Sequence, residues 1–110
     1  MRQSPQIAAS TTRLTLIRHA PSAATRRSAF PLDEPLDARA LDEARALRER
    51  LDRAEVAWTG PAARARQTAE ALGLAAAAAP ELDECDFGAW RGRTLAELDE
   101  EDPVAVAAWI

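Results

Sequence analysis

The order of local patterns along this chain constrains its fold more than any single residue does. Residues 13–17 alternate polar and apolar side chains and are rich in β-formers, which predicts a short strand. Helically spaced apolar positions predict a helix over residues 40–53, and residues 56–59 predict a second strand. A second helix is expected over residues 61–72, with proline at its first position and Gly73 as its C-cap. This rhythm indicates an α/β domain with a mainly parallel sheet.

The remaining segments predict a loop, an acidic stretch and a helical end. Residues 20–38 contain three prolines, so we expect a long irregular loop of the kind that is often functional or mobile. An acidic loop over residues 81–86 precedes helical sequence that continues to the end of the chain. Thr94 followed three residues later by Glu97 fits a capping box, and Pro103 should break or restart the helix.

Composition limits the classes of function. With 110 residues the chain is long enough for one domain, which we place at residues 13–110 after a flexible leader, residues 1–12. The net charge of −4 and the scattering of arginines among acids argue against nucleic acid as a partner. We expect no membrane association, because no apolar run approaches spanning length. A single cysteine, Cys85, excludes an internal disulfide and favours a cytoplasmic location.

Four side chains provide the chemical groups that phosphoryl transfer requires. Arg18 and His19 follow the first predicted strand, and a neutral imidazole can attack phosphorus to form a covalent intermediate. Arg64 lies near the start of the second helix, where guanidinium and backbone N–H groups bind phosphate oxygens. Glu84, in the acidic loop, can give a proton to a departing alkoxide. The residue types therefore predict an anion-handling site.

Each of these residues also has an ordinary structural explanation. A lone histidine is more often structural than catalytic, Arg64 lies in an arginine-rich helix, and Glu84 belongs to a loop of solvated acids. Cys85 and Arg91 have the spacing of cysteine-dependent phosphatases, but acids flank the cysteine and would repel a thiolate. We interpret Cys85 as a small packed residue instead.

Several segments taken in order resemble one family. The sequence LTLIRHA at 14–20 resembles a strand followed by an Arg-His-Gly motif, and DEPL at 33–36 resembles an Asp-x-Pro-Leu motif. TGPAARARQTA at 59–69 and LDECDFGAW at 82–90 match two further motifs of the same family. Together they resemble the histidine phosphatase, or phosphoglycerate mutase-like, superfamily. The resemblance implies part of a phosphoglycerate mutase-like three-layer α/β sandwich, of which the C-terminal half is absent.

The resemblance also implies roles for individual residues. His19 would be the phosphorylated nucleophile and Glu84 the proton donor. The side chains that would hold the phosphate are Arg18, Arg64, Ser22 and Thr25. Such chemistry needs no metal or other cofactor, and the implied substrate is a small phosphorylated metabolite. Within the family, the chain resembles small bacterial phosphatases, including α-ribazole phosphatase-like proteins, more than glycolytic mutases.

The chain departs from the family pattern at several points. Ala20 and Gly60 replace a glycine and a serine, and Arg91 stands where the family usually has glutamate. The family's second catalytic histidine comes from the second half of the domain, together with a strand near the centre of the sheet. This sequence contains one histidine. We therefore expect a truncated domain with an incomplete site.

Three functions remain open on the sequence. The first is a phosphomonoester hydrolase acting through phosphohistidine, truncated and weakly active or inactive as it stands, so its status as an enzyme is open. The second is a non-catalytic remnant that binds phosphate or other anions. The third is an interaction module, because a sheet without its central strand presents an open edge that can pair with a second copy in a homodimer.

Overall fold

The parallel sheet consists of two short strands, β1 (Trp58–Thr59) and β2 (Ala77–Ala78), in the computed structural model, which describes residues 10–110. Trp58 lies opposite Ala77 and Thr59 opposite Ala78. The helices are α1 (Ala23–Arg26), α2 (Ala38–Ala46), α3 (Ala63–Ala71), α4 (Leu95–Glu101) and α5 (Pro103–Trp109). Residues 1–9 of the expected leader lie outside the described residues, and residues 10–12 are exposed and have no regular secondary structure.

The β1–α3–β2 unit confirms the expected parallel α/β arrangement, although the strands are shorter than predicted. The second predicted strand, 56–59, is reduced to its last two residues. Strand β2 lies in the alanine run 75–79, which the sequence analysis did not assign to a strand. Backbone N–H groups of Ala77 and Ala79 donate to carbonyl oxygens of Ala57 and Thr59 and form the ladder.

The prediction of a strand over residues 13–17 is wrong for this structure. These residues form no regular secondary structure, and the side chains of Leu14 and Leu16 are 77% and 85% exposed. A strand exists only where a second strand accepts and donates its backbone hydrogen bonds. Among residues 10–110 no strand lies beside this segment, so its β-type sequence does not form a ladder.

The two middle helices begin and end differently from the predictions. The helix expected over 40–53 is α2, and Asp37 caps its start by accepting the Ala40 N–H. The helix ends at Ala46 and is followed by a short 3-10 turn at Arg48–Arg50. The second helix begins at Ala63 rather than at proline 61. Its predicted end is confirmed: Gly73 has a φ of +75°, the left-handed conformation that glycine adopts without strain.

The helical end of the chain follows the predicted signals. The Thr94 hydroxyl accepts the Glu97 N–H at 3.2 Å and so caps α4. Pro103 starts α5 as its first residue, and the Asp102 side chain caps that helix. Local capping chemistry therefore sets both starts.

Two separate apolar clusters stabilise the chain. In the first, α4 and α5 pack Leu98 and Val106 against Phe30 from the long loop, and the rings of Phe87 and Trp90 cover them. The second cluster joins α2 to α3 and contains Ala44, Ala71 and Leu72, with Leu41, Leu51 and Leu74 packed against it. Side chains from the long loop, the start of α3 and the acidic loop together line a cavity.

The long loop over residues 20–38 is ordered by side chains of other segments. It includes the one-turn helix α1, and its Leu36 N–H donates to Gln67 Oε1 on α3 at 2.7 Å. In the other direction, Asp33 Oδ1 accepts the N–H of Ala63 at the start of α3, at 2.8 Å. These long-range bonds hold the loop against α3.

Candidate active site

A cavity of about 310 Å³ brings together most of the predicted site residues. Its walls include Arg18, His19, Thr25, Arg64 and Glu84, which come from four different segments of the chain. A second cavity of about 400 Å³ lies beside it and shares the Arg64 and Glu84 walls. Pro31 and Phe87 also line both cavities, so the two compartments adjoin along these four side chains.

The carboxylate of Glu84 joins the imidazole to a guanidinium group. One oxygen, Oε1, lies 3.9 Å from His19 Nε2, and the other, Oε2, lies 2.8 Å from Arg64 Nη2. The Arg64 side chain is 5% exposed, whereas that of Glu84 is 42% exposed. The buried arginine is therefore held by a carboxylate that solvent and ligands can reach.

The imidazole of His19 is oriented by the backbone that follows it. Its Nδ1 atom lies 2.7 Å from the carbonyl oxygen of Ala20, and its side chain is 17% exposed. A carbonyl oxygen only accepts hydrogen bonds, so Nδ1 carries the proton and Nε2 of the neutral ring keeps its lone pair. That lone pair is on the nitrogen nearest to Glu84.

Arg64 is the second residue of α3, as the prediction of an arginine near a helix start requires. The expected set of free backbone N–H groups is smaller than predicted. Ala63 N–H donates to Asp33, and the N–H groups of Ala65 and Arg66 donate to the carbonyl of Ala62. An anion at this helix start would therefore be bound mainly by the guanidinium group of Arg64.

The other three predicted phosphate-binding residues have different positions. Arg18 and Thr25 are exposed and line the cavity. Ser22 is fully buried, and its hydroxyl caps α1 and donates to Glu34 Oε1 at 3.3 Å. Ser22 is not among the residues that line the cavity, and its role as a phosphate contact stays a prediction.

Cys85 and Arg91 line the second cavity. The interpretation of Cys85 as a packed residue is wrong, because its side chain is exposed in the acidic loop between Glu84 and Asp86. Arg91 donates to the carbonyl of Leu32 at 3.4 Å. Asp33, Asp83 and Asp86 also contribute to the walls, so this compartment carries more acidic than basic groups.

Three residues without a role predicted from the sequence hold the site in place. Asp33, Gln67 and Thr68 each bond the backbone of a distant segment: Asp33 bonds α3, and the other two bond the long loop. All three fall within the motifs that matched the family, which was the available signal. No local pattern of charge or periodicity indicates such bonds.

Between residues 10 and 110, no three or more His, Cys, Asp and Glu side chains are grouped so that they could hold a metal ion. Over the same range, no helix has the length and apolarity needed to cross a membrane.

Comparison with known families identifies the chain. The model of the histidine phosphatase superfamily, branch 1, matches residues 14–110. The chain belongs to this superfamily. Among curated proteins, none matches it significantly.

Several solved structures share the fold of this chain. A candidate alpha-ribazole-5′-P phosphatase from Escherichia coli is 29% identical with a TM-score of 0.70, and 84% of this chain covers 51% of that one. A mycobacterial glucosyl-3-phosphoglycerate phosphatase in complex with VO3 is 28% identical with a TM-score of 0.74, and 83% of this chain covers 49% of that one. The protein TTHB049 from Thermus thermophilus is 31% identical with a TM-score of 0.72, with coverages of 84% and 55%.

This superfamily member therefore spans about half the length of the solved relatives. Over that half it has their α/β fold with a parallel sheet, a partial phosphoglycerate mutase-like architecture, as expected. Its phosphatase relatives support a phosphatase-type function.

Proposed function

We propose that this chain carries the phosphoryl-accepting part of a phosphomonoester hydrolase, with His19 as the nucleophile. One observation supports this most strongly. The Glu84 carboxylate has His19 Nε2 at 3.9 Å from one oxygen and the buried Arg64 guanidinium at 2.8 Å from the other. A nucleophile, a cation and a proton donor thus face one space of about 310 Å³ that Arg18 and Thr25 also line.

The first step forms a phosphohistidine. The Nε2 lone pair of His19 attacks phosphorus, the P–O bond to the alcohol breaks, and the departing oxygen takes a proton from the carboxyl group of Glu84. Negative charge spreads over the three phosphoryl oxygens in the transition state. The guanidinium groups of Arg64 and Arg18 stabilise that charge and orient the phosphoryl group.

The second step returns the enzyme to its starting state. The Glu84 carboxylate takes a proton from water, the water oxygen attacks phosphorus, and the P–N bond to His19 breaks. Inorganic phosphate leaves, and Glu84 is again protonated for the next substrate. The same carboxyl group is acid in one step and base in the other.

Substrate binding changes the partner of Arg64. Without an anion, Arg64 pairs with the Glu84 carboxylate. A phosphate group that bonds Arg64 replaces this carboxylate, which is then free to face the departing oxygen of the substrate. Binding thereby frees the carboxyl group that the first step needs.

The adjoining cavity of about 400 Å³ would hold the alcohol part of the substrate, because it shares the Glu84 wall with the phosphoryl compartment. Its size fits a small metabolite. The named relatives act on, or are candidates to act on, phosphorylated small molecules. We extend the proposal to a small phosphorylated metabolite, hydrolysed without a cofactor in the cytoplasm.

Hydrolysis of two substrates with different leaving groups tests the proposal. Glu84→Gln removes the transferable proton, so kcat/KM for an alkyl phosphate, which reports the steps up to phosphohistidine formation, should fall by about 10²–10⁴-fold. The fall for p-nitrophenyl phosphate should be much smaller, because p-nitrophenolate leaves without protonation. His19→Ala should abolish turnover of both substrates.

The matched control is Glu81→Gln, which changes an exposed acid of the same loop and should leave both rates unchanged. Equal turnover by the wild type and His19→Ala would rule out His19 as the nucleophile. An equal effect of Glu84→Gln on kcat/KM for both substrates would remove Glu84 as the proton donor.

A second candidate function is anion binding without turnover. The observation that favours it is the buried guanidinium of Arg64, which pairs with a half-exposed carboxylate that a bound anion could replace. Arg64 and Arg18 line the cavity whatever the fate of the bound phosphate. Titration with orthovanadate, monitored through the His19 ring resonances, measures anion binding. Binding of vanadate by a chain that does not hydrolyse p-nitrophenyl phosphate supports the anion-binding function over the hydrolase.

A further inference from the structure

The hydroxyl of Thr68 joins two parts of the candidate active site. Thr68 is buried in α3, and its Oγ1 donates to the carbonyl oxygen of Arg64 at 2.7 Å. The same oxygen accepts the backbone N–H of Ala20, 48 residues away in the chain, at 2.9 Å. One side chain therefore contacts both the helix turn that carries Arg64 and the residue that follows His19.

Ala20 transmits this contact to the imidazole. Its N–H is held by Thr68, and its carbonyl oxygen accepts from His19 Nδ1 at 2.7 Å. The next residue is Pro21, whose ring restricts the backbone of Ala20 to extended conformations. With the N–H anchored and the backbone restricted, the carbonyl of Ala20 has a defined direction.

We infer that Thr68 is a positioning residue that sets the tautomer and ring orientation of His19 through Ala20. The carbonyl of Ala20 requires a proton on Nδ1, which leaves the lone pair on Nε2. Without the Thr68 hydroxyl, the N–H of Ala20 loses its acceptor and the carbonyl is no longer held towards the ring. The imidazole then populates both neutral tautomers, one of which has no lone pair facing Glu84.

The inference rests on the proposed function only for its kinetic consequence, because the tautomer can be measured without turnover. The chain has one histidine, so long-range 1H–15N NMR spectra of the ¹⁵N-labelled protein report His19 alone. At alkaline pH, where imidazole groups are neutral, the wild type should show the Nδ1–H tautomer.

Four proteins are compared: the wild type, Thr68→Val, Thr68→Ser and Thr59→Val. Thr68→Val keeps the branched shape without the hydroxyl and should give a mixture of tautomers. Thr68→Ser keeps the hydroxyl and should restore the wild-type spectrum. Thr59→Val is the matched control, because Thr59 is also buried and, among residues 10–110, its hydroxyl bonds only the Gly60 carbonyl, at 3.1 Å.

Kinetics provide the second readout. If the proposed hydrolysis takes place, Thr68→Val should lower kcat by about 10–100-fold with little change in KM, as loss of a histidine's orienting partner does elsewhere. A tautomer change in a chain that has no hydrolytic activity supports positioning and contradicts the proposed function. Hydrolysis by the wild type together with an unchanged tautomer in Thr68→Val supports the proposed function and contradicts positioning by Thr68.

Two results would overturn the positioning role. One is a wild-type histidine with its proton on Nε2, and the other is the same tautomer ratio in folded Thr68→Val as in the wild type. Circular dichroism checks folding. If Thr68→Val does not fold, Thr68→Ser decides the question, since loss of the Nδ1–H tautomer with the hydroxyl present contradicts the inference.

Discussion

Among single side chains, Arg64 has the most demanding position. It is almost fully buried, and a buried cation is costly unless a partner compensates it. The Glu84 carboxylate supplies that partner at 2.8 Å, and a phosphate group would supply it equally well. The buried Arg64 guanidinium is therefore stabilised by an anion at one point of the cavity.

Replacing Arg64 should weaken phosphoryl transfer far more than replacing its neighbour on the same helix. Arg64→Met removes the buried guanidinium and should lower kcat/KM for p-nitrophenyl phosphate by about 10²–10³-fold, as loss of one transition-state donor does. Arg66→Met is the matched control, because Arg66 is exposed and, within the described part of the chain, its side chain bonds only the carbonyl of Pro61. Similar losses in the two variants would show that general positive charge, not Arg64, is responsible.

Among the secondary-structure elements, α3 organises the site. Its first turn carries Arg64, and the turn that follows carries the side chains of Gln67 and Thr68 that hold the long loop. The long loop also contributes a bond of its own, because Asp33 accepts the N–H of Ala63 at the start of the helix. A change that displaces α3 should therefore affect the nucleophile and the phosphate-binding side chain together.

Gly60, between β1 and α3, should not tolerate a side chain. A Cβ atom there would lie 2.8 Å from the carbonyl oxygen of Leu82, which precedes the acidic residues 83–86. Gly60→Ala should lower the free energy of unfolding by about 1–3 kcal/mol, the usual cost of overpacking. It should also lower activity, because relief of the clash moves the loop that carries Glu84. Urea denaturation at constant m-value measures the first effect, and an unchanged midpoint would contradict the close contact.

Protonation of Asp37, the residue that caps α2, should destabilise the folded chain in acid. The Arg26 guanidinium, bonded to Asp37 at 2.6 Å, and the Ala40 N–H hold the pKa of Asp37 below its ordinary value of 3.8. A carboxyl group whose pKa is lowered by folding stabilises the protein above its unfolded pKa and loses that effect as pH falls through the folded value. The contribution should therefore be complete at neutral pH, begin to fall below about pH 4 and be lost as pH falls through the lowered pKa of Asp37.

Asp37→Asn isolates this contribution, because asparagine is an equally good helix cap but has no charge. Urea midpoints of the two proteins should differ at pH 7, with the wild type more stable, and converge as pH falls. The lowered pKa of Glu101, which Arg93 causes, is common to both proteins and cancels in the comparison. A constant difference at every pH would contradict the ion pair with Arg26.

The elements that the sequence predicted correctly are those that depend on neighbouring residues. Thr94, Pro103 and Gly73 act within one helical turn, and the structure confirms each. The strand expected over 13–17 depends on a distant partner, which local alternation cannot reveal. Strand β2 was missed for a related reason, because an unbroken alanine run has neither helical nor strand periodicity.

The candidate site was predictable to the extent that motifs identified its residues. His19, Arg64 and Glu84 were named from the sequence, and the structure places them around one cavity. The burial of Ser22 could not be read from the motif, because its hydroxyl caps α1 instead of lining the cavity. The role of Thr68 depends on a hydrogen bond across 48 residues, which no local pattern encodes.

In the molecule as a whole, apolar side chains remain uncovered beside the site. Leu14, Leu16, Val56 and Trp58 are each more than half exposed, on segments next to His19 and within or just before β1. The expected pairing of an open sheet edge with a second copy stays a prediction. Size-exclusion chromatography over a range of concentrations tests it, and a monomer at every concentration would count against pairing.

Trapping the covalent intermediate tests the proposed function most directly. The chain is mixed with p-nitrophenyl phosphate, quenched in alkali and analysed by intact-protein mass spectrometry. We predict the addition of one phosphoryl group, stable to base and lost in acid, on the chain's single histidine, His19, and its absence from His19→Ala. Turnover without any phosphorylated protein, or the same modification in His19→Ala, would contradict a phosphohistidine mechanism.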